Sequence, residues 1–162
     1  MGSYPPGPPA RSVEASITTM TEYVLPTHAN VHGNVFGGQI LAWVDLCAAI
    51  CAQRHTRSVA ITAGIDDLSF EQPIRIGQFV RLEARVTATF RTSLEILVDV
   101  EGEDGITGQR WPCVTAFVTY VAVDAAMRPI PVPPIALETE RDHALSAAAA
   151  ERRARRLLRR KR

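Results

Sequence analysis

A single carboxylate in the middle of an apolar run is the first residue in this chain that could do chemistry. Residues 40–52 read ILAWVDLCAAICA, apolar on every side of a helix except at Asp45. A helix that is apolar all round is a buried one, and a run of about 13–17 residues is too short to cross a bilayer. An ionised carboxylate in such a place is costly unless it is paired or hydrogen-bonded. Asp45 therefore breaks the local pattern without a visible structural gain, and that is where function is expected. Gly37 and Gly38 lie just ahead, at the expected helix start. Backbone N–H groups there lack intrahelical partners, and the helix dipole favours negative charge. Without side chains, both residues let another molecule's oxygen approach the backbone, and a developing oxyanion is the kind of group such donors stabilise. The plainer use of two glycines is tight helix packing.

The elements that must position these residues follow from pattern. Residues 1–14 open with a Pro-, Gly- and Ser-rich stretch and are expected to form a disordered tail. Residues 16–25 (SITTMTEYVL) alternate and carry β-branched side chains, which predicts a first strand ended by Pro26. A loop over residues 27–36 leads into the helix, and residues 59–70 predict a second strand. Val80, Leu82, Ala84 and Val86 alternate with Arg81, Glu83, Arg85 and Thr87. Leu94, Ile96, Val98 and Val100 alternate with Glu95, Leu97, Asp99 and Glu101. Period two with one wet face marks an antiparallel sheet. Asp104-Gly105 signals a hairpin, and residues 111–123 form a long strand apolar on both faces. Prolines at 129–134 stop regular structure, and residues 137–162 read as a helix rich in Ala and Arg, expected to be a solvated charged one, with contact to ligand phosphates as the sharper alternative.

Strand, buried helix, then four antiparallel strands is an α+β layout in which a five-stranded sheet wraps one central helix. Residues 15–135 make up that domain, and residues 136–162 add a basic C-terminal helix or tail. One helix leaves much of a sheet face and an edge uncovered, for which self-association is the remedy. Eight of the 18 basic residues sit in the terminal RRARRLLRRKR, leaving ten against 17 acids elsewhere. An acidic body with a basic tail is not the footprint of a nucleic-acid-binding domain. Three cysteines argue against a disulfide framework, and Cys47 and Cys51 read as small core residues. No His/Cys cluster has zinc spacing, so no metal is expected. The opening MGSYPPGPPARS lacks the apolar core of a signal peptide, and a reducing cytoplasm fits best.

The stretch His28-Ala29-Asn30-Val31-His32-Gly33-Asn34-Val35-Phe36-Gly37-Gly38, continued to Asp45, contains the pattern Asn-x-x-Gly-x-x-x-Gly-Gly-x(6)-Asp. It resembles the signature of hot-dog fold acyl-CoA thioesterases, most closely the bacterial short- and medium-chain acyl-CoA hydrolases and the brain acyl-CoA hydrolase. The likeness continues through DLSFEQPIRIG (residues 67–77), Arg91-Thr92-Ser93 and residues 121–134, and covers roughly residues 16–135. It implies a hot-dog fold and hydrolysis of acyl-CoA to free acid and CoA, without metal or redox cofactor. It implies Asp45 as general base or nucleophile, Asn30 as the group orienting water or substrate, and the N–H groups of Gly37 and Gly38 as polarisers of the thioester carbonyl. Arg91, Thr92 and Ser93 match a segment near the coenzyme A arm. The acid and the Asn–Gly loop of one site are expected from opposite subunits, so a dimer is the least unit and a trimer of dimers a common assembly. His28 stands where many relatives carry an acid, and His32 lies inside the loop; either is a second acid or base, or a structural or solvated loop residue. Two rivals share the fold. A hydratase is disfavoured because Ile50 stands where such enzymes carry a histidine five positions after the aspartate, and a non-catalytic acyl-CoA sensor is disfavoured because Asp45 is present.

Overall fold

The computed structural model describes residues 7–159. In chain order its elements are β1 (Arg11–Ser12), β2 (Thr18–Tyr23), a 3-10 turn (Pro26–His28), α1 (Gly37–Thr56), β3 (Val59–Phe70), β4 (Phe79–Thr89), β5 (Ser93–Glu103), β6 (Arg110–Val123), β7 (Ile135–Ala136) and α2 (Glu140–Arg159). Five strands form one antiparallel sheet in the order β2-β4-β5-β6-β3, and β1 pairs in parallel with β7 beside it. The α+β hot-dog layout is thus the one observed. The inner sheet face supplies Leu82, Ile96, Val98, Ala116 and Val118 to a core closed by Val44, Cys47, Ala48 and Cys51 of α1. The alternation of β4 and β5 is what turns these side chains to one face. The turn after β5 is a hairpin, as Asp104 announces. The Asp104 Oδ1 accepts from the backbone N–H groups of Ile106 and Thr107, while the left-handed residue is Gly108 rather than Gly105.

Helix α1 starts after Phe36, which has extended backbone and caps it with no side-chain hydrogen bond. It ends where Arg57 turns left-handed and returns its N–H to Gln53. Arg54 in its last turn suits the negative end of the dipole. Burial pushes the Cys47 thiol up to about 11 and that of Cys51 to about 12, as befits core residues. The helix is not buried all round, however. Leu46 is half exposed, and β3 beside it has no fully buried residue along its length. An edge strand of twelve residues with Val59, Ile61, Ile65, Leu68 and Phe70 exposed is a surface shaped to pair with another chain.

Four further expectations need correction. Arg11 and Ser12, assigned to a disordered tail, form β1, because Ile135–Ala136 offers them a paired strand, and Val13 is buried; residues 1–6 of that tail lie outside the described residues. The outer face of β5 is not wet throughout, since Glu95 and Leu97 are buried. The helix that covers Glu95 is α2, which starts at Glu140 rather than at residue 137 and is solvated on its outer face only, with Asp142, Ala149 and Arg152 buried. Its start is set by a reciprocal cap: the Thr139 hydroxyl accepts the Asp142 N–H, and the Asp142 carboxylate accepts the Thr139 N–H. Arg152 on its inner face is 8% exposed and donates through Nε and Nη2 to the two carboxylate oxygens of Glu95, stacking on the Phe117 ring at 3.6 Å. A charged stretch can be buried in this way only when a complementary charge waits for it, which the pattern of one segment cannot reveal. Among the described residues, no helix is long and apolar enough to cross a membrane.

Candidate active site

Asp45 stands mid-way along α1 on the side that meets β3 and β6. It is partly exposed, so the carboxylate is neither fully buried nor unpartnered. Its Oδ1 accepts from the Thr62 hydroxyl and lies 2.7 Å from the Tyr120 hydroxyl, which is also 2.7 Å from the Asp45 carbonyl. Thr62 and Tyr120 face one another as register partners of β3 and β6. Sheet pairing thus delivers two hydroxyls to one oxygen. Burial raises the Tyr120 pKa well above its ordinary value; the Thr62 hydrogen bond opposes this, and the Asp45 carboxylate adds to it. The phenol therefore stays a donor at neutral pH. Oδ2 of Asp45 meets no donor among the described residues and is the atom open to a ligand or water.

The second cluster forms at the start of α1. The N–H groups of Gln39 and Ile40 both turn to the Phe36 carbonyl, at 2.9 and 3.2 Å, while those of Gly37 and Gly38 meet no protein acceptor among the described residues. The two glycines have different reasons. A Cβ on Gly38 would lie 2.5 Å from the Phe36 ring, so glycine there makes room for that ring. A Cβ on Gly37 would make an ordinary 3.5 Å contact with Phe70. Gly37 borders a cavity of about 280 Å³, with Ile40, Phe70, Ile74 and Cys113 as apolar wall and Asn30 at its edge. Asn30 is shaped by its own loop. Its Oδ1 accepts from the N–H groups of His32 and Asn34 at 2.9 and 3.2 Å, and Gly33 holds the turn with a φ of +77°. The carbonyl end is thereby spent, which leaves the amide NH2 as the end available to a ligand.

At about 1.5 Å per residue, Asp45 stands roughly 12 Å down the helix from Gly37. The chain thus brings Asp45, Thr62 and Tyr120 together, and Asn30 with Gly37, but not the two groups with each other. Arg91, Thr92 and Ser93 form the turn from β4 into β5 at the same end of the sheet as Tyr120, whose register partner is Leu94. None of the three bonds to Asp45. His28 is held within its own turn: its Nδ1 accepts the Leu25 N–H, and its ring meets Trp43 edge-on. His32 is exposed. Among the described residues no three His, Cys, Asp or Glu side chains gather as a metal site. A hollow of about 330 Å³ on the outer sheet face, between charged residues such as Arg81 and Glu83, lies away from all of these groups. Sequence reasoning missed Thr62 and Tyr120. The available signal was that a tyrosine in an apolar strand needs a partner for its hydroxyl.

With this geometry in place, the comparisons are specific. The family model described as the thioesterase superfamily matches residues 32–109. A solved apo hexameric acyl-CoA thioesterase is 38% identical, with a TM-score of 0.90, over 93% of this chain and 97% of its own. The acyl-CoA hydrolase of Staphylococcus aureus, solved with butyryl coenzyme A, coenzyme A and coenzyme A disulfide, is 29% identical with a TM-score of 0.87 over 94% and 93% of the two chains. Variants of it with an aspartate, an asparagine or a threonine changed to alanine have also been solved. The acetyl-coenzyme A thioesterase of Rattus norvegicus is 38% identical over 135 residues, 83% of this chain and 24% of that protein. The chain belongs to the thioesterase superfamily, and it spans about a quarter of the length of the rat and mouse acetyl-coenzyme A thioesterases it matches.

Proposed function

We propose that this protein hydrolyses acyl-CoA to the free acid and CoA at a site shared between two copies of the chain. The observation that carries the reading is the Asp45 carboxylate, held on one oxygen by Thr62 and Tyr120 and open on the other. Asp45 Oδ2 takes a proton from water as the water oxygen attacks the thioester carbon. The carbonyl oxygen becomes an oxyanion beside the Gly37 N–H at the positive end of α1, with Gly38 next to it. Collapse of the tetrahedral intermediate breaks the carbon–sulfur bond, and the proton held by Asp45 passes to the leaving thiolate. The Asn30 amide orients the water or the carbonyl. None of these steps calls for a metal or redox cofactor.

Two copies are required because Gly37 lies roughly 12 Å from Asp45 along α1, beyond the reach of one carboxylate–water pair. The exposed edge of β3, with Thr62 on it, is the seam at which a second copy would add its strands and bring its own Asn30 loop to Asp45. The hexameric thioesterase supports a trimer of such dimers. In the S. aureus hydrolase, the aspartate and threonine changed to alanine lie 17 positions apart, as do Asp45 and Thr62. The asparagine changed there leads its aspartate by the same interval as Asn30 leads Asp45. That correspondence supports the same trio here. Arg91, Thr92 and Ser93 are assigned to the coenzyme A arm, and the cytoplasm is the compartment where that substrate and three unpaired cysteines belong. No nucleic acid or membrane is assigned as a partner.

Free-thiol release from acyl-CoAs of C2 to C16 by wild type and Asp45→Ala tests the reading. The protein's own cysteines are buried with raised pKa values, so their background is small. Release by wild type and loss of at least about a hundredfold in the variant is expected. Full activity in Asp45→Ala would refute the mechanism, and CoA binding without release from any substrate would favour a sensor.

A further inference from the structure

The basic C-terminal stretch is the one sequence feature that this chemistry leaves unused. In α2 most of its charge is already matched by carboxylates of the sheet. Arg141 pairs with Asp99, Arg152 with Glu95, Arg155 with Asp67 and Arg156 with Asp66. The last two contacts fall on β3, the edge strand that carries Thr62 and Phe70, and they fall at an irregular point.

The register of β3 against β6 locates that point. Thr62 lies opposite Tyr120 and turns inward to Asp45. Gly64 is already opposite Thr119, so Ala63 is an extra residue. Asp66 pairs with Phe117, whose ring faces outward under Arg152. Between Asp66 and Ser69 the strand inserts a second extra residue, and Phe70 returns opposite Val114 on the inner face, against Gly37. Each inserted residue reverses the in–out alternation of a strand, and two cancel. Thr62 and Phe70 thus share the inner face, while Asp66 between them is turned out to α2. The second bulge includes Asp67 at a φ of +49°, a conformation that non-glycine residues adopt only at a cost. The Arg156–Asp66 pair is largely shielded from water, with side chains 20% and 13% exposed.

We infer that Arg156, with Arg155 beside it, is a positioning residue for hydrolysis: by holding Asp66 and Asp67 it fixes the doubly bulged path of β3 that keeps Thr62 on Asp45 and Phe70 on Gly37. The inference rests on the reading of those groups as the reacting site. Without the strap, loss of either bulge turns one of the two inner residues away, because a one-residue slip reverses every side chain beyond it.

The test uses wild type, Arg156→Ala, Arg156→Lys and Asp66→Asn, with kcat and KM from thiol release and hydrogen exchange of the β3 amides. Arg156→Ala and Asp66→Asn are expected to lower kcat by about ten- to a hundredfold, the scale of a misplaced reacting group, with KM little changed. Arg156→Lys should recover much of the loss, and amides of residues 62–70 should exchange faster in the two impaired variants while those of β5 do not. A raised KM at constant kcat that worsens with salt would assign the arginines to the phosphates of CoA and overturn the inference. So would unchanged kcat in both variants with unchanged exchange. Exchange reads the strap even if wild type releases no thiol, so failure of the strap and failure of the hydrolase reading are separate outcomes. If Arg156→Ala does not fold, Asp66→Asn and Arg156→Lys still decide.

Discussion

The Tyr120 hydroxyl lies 2.7 Å from both the carboxylate Oδ1 and the backbone carbonyl of Asp45, so its single proton is shared between the side chain and the helix turn that carries it. This explains how a carboxylate can be aimed from the middle of an apolar helix. Removing the hydroxyl frees the carboxylate to rotate without removing the base. Tyr120→Phe and Thr62→Val are each expected to lower kcat by roughly tenfold or more through lost positioning. The double variant should lose less than the product of the two, since both hydroxyls hold the same oxygen. Steady-state kinetics on the three variants checks this.

The separation of Asp45 from the Asn30–Gly37 cluster makes a second expectation. Asn30→Ala alone should cost roughly one to three decades in turnover, the range for loss of an orienting or polarising group. Mixing unfolded Asp45→Ala and Asn30→Ala chains and refolding them together should restore activity. Half of the dimers are then mixed, and each mixed dimer holds one intact site, so about a quarter of wild-type activity returns in a two-fold dimer. No recovery on refolding would place both residues of a site in one chain.

Docking of α2 depends on the pair between Arg152 and Glu95, whose side chains are 8% and 1% exposed. The Thr87 hydroxyl also donates to this carboxylate, at 2.8 Å. Arg152→Ala leaves it buried without its cation and is expected to destabilise the protein by about 3–5 kcal/mol. Replacing both partners together, with Arg152→Met and Glu95→Gln, should cost less. Urea denaturation curves would show the order, and equal midpoints for the two variants would speak against a buried-charge penalty.

His55 is fully buried at the end of α1, with its Nε2 against the Pro133 carbonyl and its Nδ1 without a partner among the described residues. Burial lowers its pKa below the ordinary 6.5, the Pro133 carbonyl opposes this, and Arg11 adds to the lowering. The unfolded chain then binds a proton that the folded chain does not, from about pH 6.5 downward to the lowered folded value. Its contribution to stability is therefore complete above pH 6.5 and is lost as the pH falls through that window. Melting temperatures between pH 7.5 and 5 should fall accordingly, and His55→Gln should flatten that part of the curve.

The elements themselves were legible along the chain. The period-two alternation of β4 and β5, the apolar run of α1, the turn at Asp104 and the lone acid at position 45 are local properties, and each was located without a structure. The Asn30 loop and the paired glycines were also visible, because their spacing is short and specific. What only the tertiary structure decided lies across elements. Thr62 and Tyr120 come to Asp45 from 17 and 75 residues away, through a strand register that no single segment encodes. Arg152 and Arg156, which read as solvated charge, are buried or shielded because Glu95 and Asp66 face them across the sheet. The two bulges of β3, the first turning Asp66 outward and the second returning Phe70 inward, leave no trace in its hydropathy. Periodicity reports which face a residue prefers, whereas pairing and charge complementarity between distant segments exist only once those segments have packed.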